Sequence, residues 1–546
     1  MRRFALLVGL CGFVFAVSPV SEATPAAPGS GAPGDTSGDK CGKLASLQLP
    51  NASVSSAKTY AAGTFSGPPQ NFTGADLSAF FSKLPAFCRV VVKATPTSDS
   101  DITIEVWMPL EKWNGRLQGL GNGGFAGLID HFELGAGIMK GYAATATDTG
   151  HTGSPIDAEW AVGHAEKVVD FGHRGIHEMT RVAKAVVQSF YGSGPSHAYF
   201  AGCSDGGREA LMEAQRYPAD YDGILAGAPA NYWTALLSMG AEDTRVLMAA
   251  PANFIPPAKI PAIAKAVNEA CDQLDGVSDG IVNDPRDCRF DPAAMECKPG
   301  EDSDKCLTAE QAATLETIYA GLKDSKGNEL FPGYLPGAED GGGGWATWIT
   351  GPAPGKSLLA AFAGGYYSNM VYEKKDWDLK SFTVDGGMKD ATEKTAKALN
   401  AIDADLTAFR SRGGKLILYH GWNDPAISPW NTIAYYQTVQ DAMGAKQADS
   451  FVRLYMVPGM EHCAGGPGPS AFGQLGIPTT GGPKYGIFDA LVDWTEKGVA
   501  PQTVIATKYD SDKKATMTRP LCPYPAIAKY KGTGDTNDAA NFACSK

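Results

Sequence analysis

The chain is predicted to adopt an α/β fold, with a doubly wound, mainly parallel sheet and a large inserted domain. Short apolar runs of β character alternate with segments of helical periodicity, which is the pattern of parallel strands joined by crossover helices. This alternation stops after residue 231 and resumes after residue 412, and the stretch between is rich in Pro, Gly, Cys and Asp. We therefore interpret residues 232–412 as a lid domain, inserted between residues 41–231 and 413–546 of one main domain.

Individual elements follow from local pattern. Residues 102–107 alternate apolar and polar side chains, as a half-buried strand does. Further strand-like runs lie at 117–120, 142–147, 198–201, 224–226, 416–419 and 452–456. Helical spacing of apolar residues is found at 165–190, 207–216 and 486–497.

The N-terminus has the features of an export signal. Arg2 and Arg3 precede an apolar stretch over residues 4–17, and the small residues Ser21 and Ala23 follow. This arrangement predicts a signal peptide over residues 1–23, followed by a disordered, Pro/Gly/Ser-rich leader over 24–40. A membrane anchor would need about 20 apolar residues, so we expect a secreted or periplasmic protein that leaves the membrane after cleavage.

Charge and cysteine content agree with export. The chain of 546 residues carries 47 basic and 59 acidic residues, a net charge of −12, without a basic cluster. Nucleic acid is therefore not expected as a partner, and neither is an anionic membrane. Without Cys11 of the signal peptide, ten of the eleven cysteines remain, an even number that predicts disulfides in an exported chain. Neighbours in sequence suggest the pairs Cys41–Cys88, Cys203–Cys463, Cys271–Cys288, Cys297–Cys306 and Cys522–Cys544.

Ser204 is the candidate nucleophile. It lies in the sequence Gly-Cys-Ser-Asp-Gly-Gly at 202–207, which satisfies the G-x-S-x-G pattern of a nucleophile elbow. A strand-like run precedes the motif and a helical segment follows it, as an elbow requires. Gly202 and Gly206 would let the backbone turn sharply without Cβ clashes. An ordinary strand-to-helix turn with a capping serine is the alternative interpretation.

The partners of Ser204 follow from chain order. On the α/β-hydrolase fold, the acid and then the histidine come after the serine, on loops that follow late strands. Asp424 follows the run 416–419, and His462 follows the run 452–456. His462 is therefore the candidate general base and Asp424 the carboxylate that orients it, because a serine hydroxyl needs an imidazole to accept its proton.

Other histidines fit this order less well. Those that precede Ser204 are His131, His151, His164, His173, His177 and His197. His420 precedes Asp424, and it is a candidate substrate-binding residue or a residue that packs the end of a strand. If Ser204 and His462 form a hydrogen bond, their neighbours Cys203 and Cys463 come within reach of a disulfide.

An oxyanion hole needs two converging N–H groups. One is expected from Asp205, the residue after the nucleophile, and the other from a glycine-rich loop after an early strand. The run Gly-Asn-Gly-Gly-Phe at 121–125 has this position, and Gly124 is the preferred donor. A plain turn is the alternative interpretation of this run.

Three motifs together resemble the tannase and feruloyl esterase family. They are Gly-Cys-Ser-Asp-Gly-Gly-Arg at 202–208, His-Gly-Trp-Asn-Asp at 420–424 and Gly-Met-Glu-His-Cys at 459–463. The resemblance implies an α/β-hydrolase fold, a disulfide between the cysteines that flank the catalytic serine and histidine, and a secreted serine carboxylic-ester hydrolase. Its substrates would be small feruloyl, hydroxycinnamoyl or galloyl esters from plant cell walls or polyphenols.

Alternatives to this function stay open, and one is a serine peptidase on the same fold. The family also includes the enzyme that hydrolyses mono(2-hydroxyethyl) terephthalate, which is expected to bind the free carboxylate of its substrate with a lid arginine. Residues 364–372, the corresponding stretch here, contain no arginine. A non-catalytic, calcium-dependent protein that binds phenols or glycans is a third alternative. Lid aromatics could line a pocket or belong to the core, namely Trp345, Trp348, Phe362, Tyr366 and Tyr367.

An acidic loop in the lid is a candidate metal site. Asp272, Asp275 and Asp279 are closely spaced among glycines, and Ca²⁺ prefers such oxygen ligands, although the spacing is not that of an EF-hand. From the residues alone, a solvated acidic loop remains an alternative. The family resemblance implies a structural Ca²⁺ held by these carboxylates and the carbonyls of Val277 and Ile281, bracing a lid with little regular structure.

Overall fold

The structure is a computed structural model that describes residues 39–69, 74–301, 303–479 and 481–546. The predicted signal peptide (1–23) and nearly all of the predicted leader (24–40) lie outside the described residues. None of the helices in the described ranges combines the length and apolar character needed to cross a membrane.

Strands occupy both ends of the described chain and are sparse in its middle. They are β1 (Ala52–Tyr60), β2 (Phe87–Ala94), β3 (Ile102–Pro109), β4 (Arg116–Leu120), β5 (Ala143–Thr147), β6 (His197–Cys203), β7 (Gly223–Gly227), β8 (Leu322–Lys323), β9 (Glu329–Phe331), β10 (Lys415–Gly421), β11 (Val452–Val457), β12 (Val504–Tyr509), β13 (Ala515–Leu521), β14 (Ile527–Tyr530) and β15 (Phe542–Ser545).

One large sheet organises the main domain. Its nine strands lie in the order β1-β2-β3-β5-β4-β6-β7-β10-β11. The pairs from β5 to β11 are parallel, whereas β1, β2 and β3 form an antiparallel edge. The predicted mainly parallel sheet is therefore confirmed. The carboxyl ends of β6, β10 and β11 meet at one edge of a parallel sheet, where α/β proteins place their ligands.

Helices pack against this sheet and also make up much of residues 232–412, the segment predicted to be a lid. They are α1 (Ser78–Phe81), α2 (His131–Met139), α3 (Ala165–Val169), α4 (Gly175–Tyr191), α5 (Asp205–Arg216), α6 (Trp233–Leu247), α7 (Ile260–Cys271), α8 (Ala309–Ala320), α9 (Trp345–Trp348), α10 (Leu358–Gly365), α11 (Val384–Leu399), α12 (Thr407–Ser411), α13 (Pro429–Met443), α14 (Ala445–Ala448) and α15 (Ile487–Lys497).

The helix predicted over 165–190 forms with one interruption. A single π-helical turn over Asp170–Arg174 separates α3 from α4. The buried guanidinium of Arg208 donates hydrogen bonds to the carbonyls of Phe171 and Gly172, at 3.1 and 2.5 Å. A wider turn leaves carbonyls without partners inside the helix, and Arg208 supplies those partners here.

Residues 232–412 form the segment predicted to be a lid, and this segment is more regular than the sequence predicts. Its helices α6, α7, α8 and α11 contain 12 to 16 residues each, so the expectation of a lid with little regular structure is wrong. Helix α8 begins with a capping box between Thr308 and Gln311, a local signal that was readable in the sequence. Residues 40–546 form one compact unit, and a single apolar cluster joins residues of this segment to Phe125 and Phe171.

Five disulfides are present among the described residues, and they have the connectivity that sequence neighbours suggest. They are Cys41–Cys88, Cys203–Cys463, Cys271–Cys288, Cys297–Cys306 and Cys522–Cys544.

Candidate active site

Ser204 lies at the sharp turn between β6 and α5, with a backbone φ of 66° that non-glycine residues rarely adopt. Its amide donates to the carbonyl of Gly227 at 3.0 Å. A Cβ at Gly202 would lie 2.5 Å from the carbonyl oxygen of Gly206, and a Cβ at Gly206 would lie 2.8 Å from that of Asn122. Both glycines of the motif are therefore required by close backbone approach, as the elbow pattern predicts.

Asp424 and His462 form a hydrogen-bonded pair on the loops after β10 and β11. The Nδ1 of His462 lies 2.7 Å from Oδ2 of Asp424. The other carboxylate oxygen accepts the amides of Ala426 and Ile427, at 2.8 and 3.0 Å. Burial alone would raise the pKa of Asp424, but the attraction of His462 and the imidazole hydrogen bonds hold it well below its ordinary value. The carboxylate therefore stays ionised and fixes the imidazole so that Nε2 is available to accept a proton.

His420 is a second imidazole on the same carboxylate, and its side chain has no exposed surface. Its Nε2 lies 3.1 Å from both Oδ2 of Asp424 and the carbonyl of Ile427, and its Nδ1 lies 2.7 Å from the hydroxyl of Thr432. Because both partners of Nε2 are acceptors, this nitrogen carries the proton. His420 is not among the described residues that line the cavity; its contacts with Asp424, Ile427 and Thr432 fit the alternative interpretation, in which it packs the end of a strand.

A disulfide joins the loop of Ser204 to the loop of His462. The Cα atoms of Cys203 and Cys463 are 6.0 Å apart. Ser204 and His462 both line one cavity, together with these two cysteines. The rings of Trp348 and His462 form an edge-to-face pair, with ring centroids 5.1 Å apart. The two loops therefore meet as predicted, although no hydrogen bond between Ser204 Oγ and His462 is present among the described residues.

The two residues whose amides are candidates for an oxyanion hole, Asp205 and Gly124, line the same cavity. Among the described residues, neither the N–H of Asp205 nor that of Gly124 donates a hydrogen bond. The amide of Gly206 donates to the carbonyl of Asn122 at 2.8 Å, which ties the glycine-rich loop to the elbow. Gly124 has a φ of 60°, and a Cβ there would lie 2.2 Å from the carbonyl oxygen of Pro155, so glycine is required at this position.

Glu209, on α5, holds the glycine-rich loop by a hydrogen bond, and this residue was not identified from the sequence. Its carboxylate accepts the amide of Asn122 at 2.8 Å, and the residue is 1% exposed. Burial and the neighbouring Asp205 raise the pKa of Glu209 well above its ordinary value. A glutamate on a helix is common, and only the packing of α5 under this loop identifies its function.

The cavity has a volume of about 660 Å³ and largely apolar walls. Of the lid aromatics considered from the sequence, Trp348 and Phe362 line it. The remaining ones, Trp345, Tyr366 and Tyr367, are fully buried in the core. Further apolar wall residues come from α6, α10 and the loop after Asp424, namely Trp233, Leu236, Leu237, Leu358, Leu359, Ala426 and Ile427.

The acidic lid loop supplies only oxygen donors. One carboxylate oxygen of Asp272 accepts the amides of Asp279 and Gly280, and Arg519 pairs with Asp279 at 2.5 Å. Burial raises the pKa of Asp275 and of Asp279, and repulsion between the carboxylates adds to the effect. In the described part of the chain, no three Asp, Glu, His or Cys side chains are gathered as a metal site would require. The donor chemistry suits Ca²⁺, while the ion pair with Arg519 occupies one carboxylate.

Comparisons with known proteins agree with the geometry. The family model described as "Tannase and feruloyl esterase" matches residues 88–545. The chain is 40% identical to an uncharacterized esterase of Xanthomonas campestris, over 92% of this chain and 91% of the relative. It is 32% identical to a probable feruloyl esterase B-2 of Aspergillus oryzae, over 93% and 96% of the two chains. The crystal structure of feruloyl esterase B from Aspergillus oryzae superposes with a TM-score of 0.84 at 30% identity, covering 93% of this chain and 99% of that one.

Proposed function

Because the chain belongs to the tannase and feruloyl esterase family, we propose that it is an exported serine esterase that cleaves esters of aromatic acids through an acyl-enzyme on Ser204. One observation carries this proposal. Ser204, on a strained elbow, and His462, hydrogen-bonded to Asp424, line a single apolar cavity, and the Cys203–Cys463 disulfide joins the loops of Ser204 and His462.

The proposed reaction divides hydrolysis into two acyl transfers. Ser204 Oγ attacks the acyl carbon while Nε2 of His462 accepts the hydroxyl proton, and the same nitrogen then donates that proton to the departing alcohol. A water molecule next loses its proton to His462 and attacks the acyl-enzyme. The aromatic acid leaves, and Ser204 regains its proton.

Charge develops at two places in this sequence of steps, and the protein has a group ready for each. The imidazolium of His462 would be stabilised by the buried, ionised Asp424, which is held by two amides and by His420. The oxyanion would accept hydrogen bonds from the amides of Asp205 and Gly124. Loss of one such donor typically reduces kcat by about 100- to 1,000-fold.

The walls of the cavity favour neutral aromatic acyl groups. Among the described residues that line it, none is Lys or Arg. A free substrate carboxylate would therefore lack a cationic partner, which disfavours mono(2-hydroxyethyl) terephthalate relative to feruloyl, hydroxycinnamoyl and galloyl esters. Trp348 and Phe362 provide aromatic surface for such groups beside His462.

The test combines covalent labelling with a substrate panel. A fluorophosphonate probe should label the wild-type enzyme at Ser204 and should not label Ser204→Ala. Wild type should hydrolyse methyl ferulate or methyl gallate with a higher kcat/KM than mono(2-hydroxyethyl) terephthalate. Binding of phenolic esters without labelling or turnover would instead support the non-catalytic alternative.

A structural Ca²⁺ in the lid is a separate proposal. Asp272, Asp275 and Asp279 would hold it with the carbonyls of Val277 and Ile281, and its charge would relieve the repulsion among the carboxylates. Calorimetric titration of EDTA-treated protein should detect Ca²⁺ binding, with a matching rise in Tm. Asp275→Asn should remove both signals, whereas the control Asp287→Asn, at an exposed lid carboxylate, should keep them. Binding that survives Asp275→Asn would contradict this site.

Export is proposed from the basic and apolar N-terminus and from the five disulfides formed in the described chain. Disulfides of this number are typical of oxidising compartments. N-terminal sequencing of protein recovered from the periplasm or medium should begin at Thr24. Recovery of only the uncleaved chain in the cytoplasm would contradict the proposal.

A further inference from the structure

The catalytic cavity contains a carboxyl group that the proposed mechanism does not use. Glu133, in the first turn of α2, lines the cavity on the side formed by the main domain. Among the described residues, no side chain or amide donates a hydrogen bond to its carboxylate, and no cation lies within ion-pair distance. Its side chain is half-buried, so the carboxylate loses part of its hydration without gaining a protein partner.

The neighbouring Asp130 differs from Glu133 in this respect. Its side chain caps α2 and accepts the amides of Phe132 and Glu133, at 2.8 and 3.1 Å. Its hydrogen-bonding capacity therefore serves the local fold. Glu133 has no comparable structural duty, so the helix would form without its carboxyl group.

The surroundings of Glu133 are apolar on several sides. Leu120 and Leu475 line both the catalytic cavity and a narrow crevice beside Glu133. Burial, together with the negative charge of Asp130, raises the pKa of Glu133 well above its ordinary value. A carboxyl group with a raised pKa can donate a hydrogen bond as well as accept one.

We propose that Glu133 determines specificity by forming a hydrogen bond with a hydroxyl group of the bound ester, away from the bond that is cleaved. This inference rests on the proposed function, because it assigns the cavity to an ester substrate. The hydroxyl group of the substrate would supply the hydrogen-bond partner that Glu133 lacks among the described residues. A substrate that fills the cavity and excludes water but has no hydroxyl would leave this carboxyl unpaired and would therefore react more slowly.

The hydroxyl could belong to either half of the ester, and three substrates distinguish the two sources. Methyl cinnamate has no hydroxyl group, methyl 4-hydroxycinnamate has one on the acyl ring, and 2,3-dihydroxypropyl cinnamate has hydroxyls only on the alcohol. The ratio of kcat/KM between a hydroxylated ester and methyl cinnamate measures the preference within each variant. Because each variant is compared with itself, a general loss of active protein cancels.

We expect Glu133→Ala to reduce this ratio by about 10- to 100-fold for the ester whose hydroxyl Glu133 contacts. Glu133→Gln, which keeps a donor and an acceptor, should retain most of the preference. Glu316→Ala removes an exposed carboxylate on α8 and is the matched control, with an unchanged ratio. If Glu133→Ala does not fold, Glu133→Met preserves side-chain length without hydrogen bonding and serves in its place.

The outcomes separate this inference from the proposed function. A reduced ratio for the 4-hydroxy ester assigns the contact to the acyl ring, and a reduced ratio for the dihydroxypropyl ester assigns it to the alcohol. Ratios equal to wild type for both esters overturn the inference while leaving the esterase intact. Failure of wild type to hydrolyse any of the three esters would contradict the proposed function instead.

Discussion

Removal of the Cys203–Cys463 disulfide should impair both stability and catalysis, in contrast to removal of a disulfide far from the active site. The bond joins residues adjacent to Ser204 and His462, and it spans 260 residues of sequence. Cys297–Cys306 in the lid spans 9 residues and touches neither catalytic loop. The double variants Cys203→Ala/Cys463→Ala and Cys297→Ala/Cys306→Ala therefore form a matched pair.

The expected stability losses follow from loop-closure entropy in the unfolded chain. For a closed loop of 260 residues the loss is about 5.5 kcal/mol, and for 9 residues it is about 2.5 kcal/mol. With an unfolding entropy of about 1 kcal/mol/K for a chain of this size, Tm should fall by about 5 °C and about 2–3 °C respectively. The longer loop thus doubles the effect.

Calorimetry and steady-state kinetics of the same preparations test this reasoning. Well below Tm, the variant without Cys203–Cys463 should lose kcat, because the Ser204 and His462 loops are no longer held together covalently. The variant without Cys297–Cys306 should keep the wild-type kcat. Wild-type kcat in the first variant, or a smaller Tm decrease than in the second, would refute the assignment of this bond as the link that positions the two loops.

Three further predictions concern single residues. Gly124→Ala should lower kcat for methyl ferulate by about 100-fold or more, because the new methyl group would collide with the carbonyl of Pro155 and displace the loop. An unchanged kcat would exclude Gly124 from the oxyanion hole. His420→Ala should remove one hydrogen bond from the buried Asp424 and lower kcat by about 10-fold, with little change in KM, whereas a change in KM alone would indicate substrate contact. Although burial opposes ionisation, hydrogen bonds from a guanidinium and an imidazole lower the pKa of Glu105 to about 2. The ionised carboxylate therefore stabilises the fold at pH values above the pKa of Glu105 in the unfolded chain, and this stabilisation is lost as the pH falls through its pKa in the folded protein. The difference in unfolding free energy between wild type and Glu105→Gln should shrink by about 3 kcal/mol between about pH 5 and about pH 2. A difference that stays constant with pH in urea titrations would contradict this.

The elements that the sequence predicted well depend on neighbours along the chain. The strand before Ser204 and the helix after it follow from a run of apolar residues, a glycine pair and helical spacing, all within a window of a few residues. The order of Ser204, Asp424 and His462 followed from the positions of loops after strands. Local chemistry of this kind determines which backbone conformation is accessible, and it is legible without tertiary contacts.

The lid shows where local pattern was insufficient. Its helices α6 and α8 lie among loops rich in Pro and Gly, which obscured their periodicity. Helix α6 is buried over most of its surface, so it lacks the polar face that reveals an amphipathic helix. Burial on all sides is a property of the assembled fold and leaves no regular alternation in the sequence.

The sequence by itself determined the nucleophile elbow, the order of the three candidate catalytic residues and the set of cysteines available for pairing. Only the tertiary structure decided which groups His420 and Glu209 contact, and it left the carboxylate of Glu133 without a hydrogen-bond donor among the described residues. The reason is physical: backbone conformation depends on residues next to one another in the chain, whereas the partner of a buried polar group is chosen by elements that meet in space from distant parts of the chain.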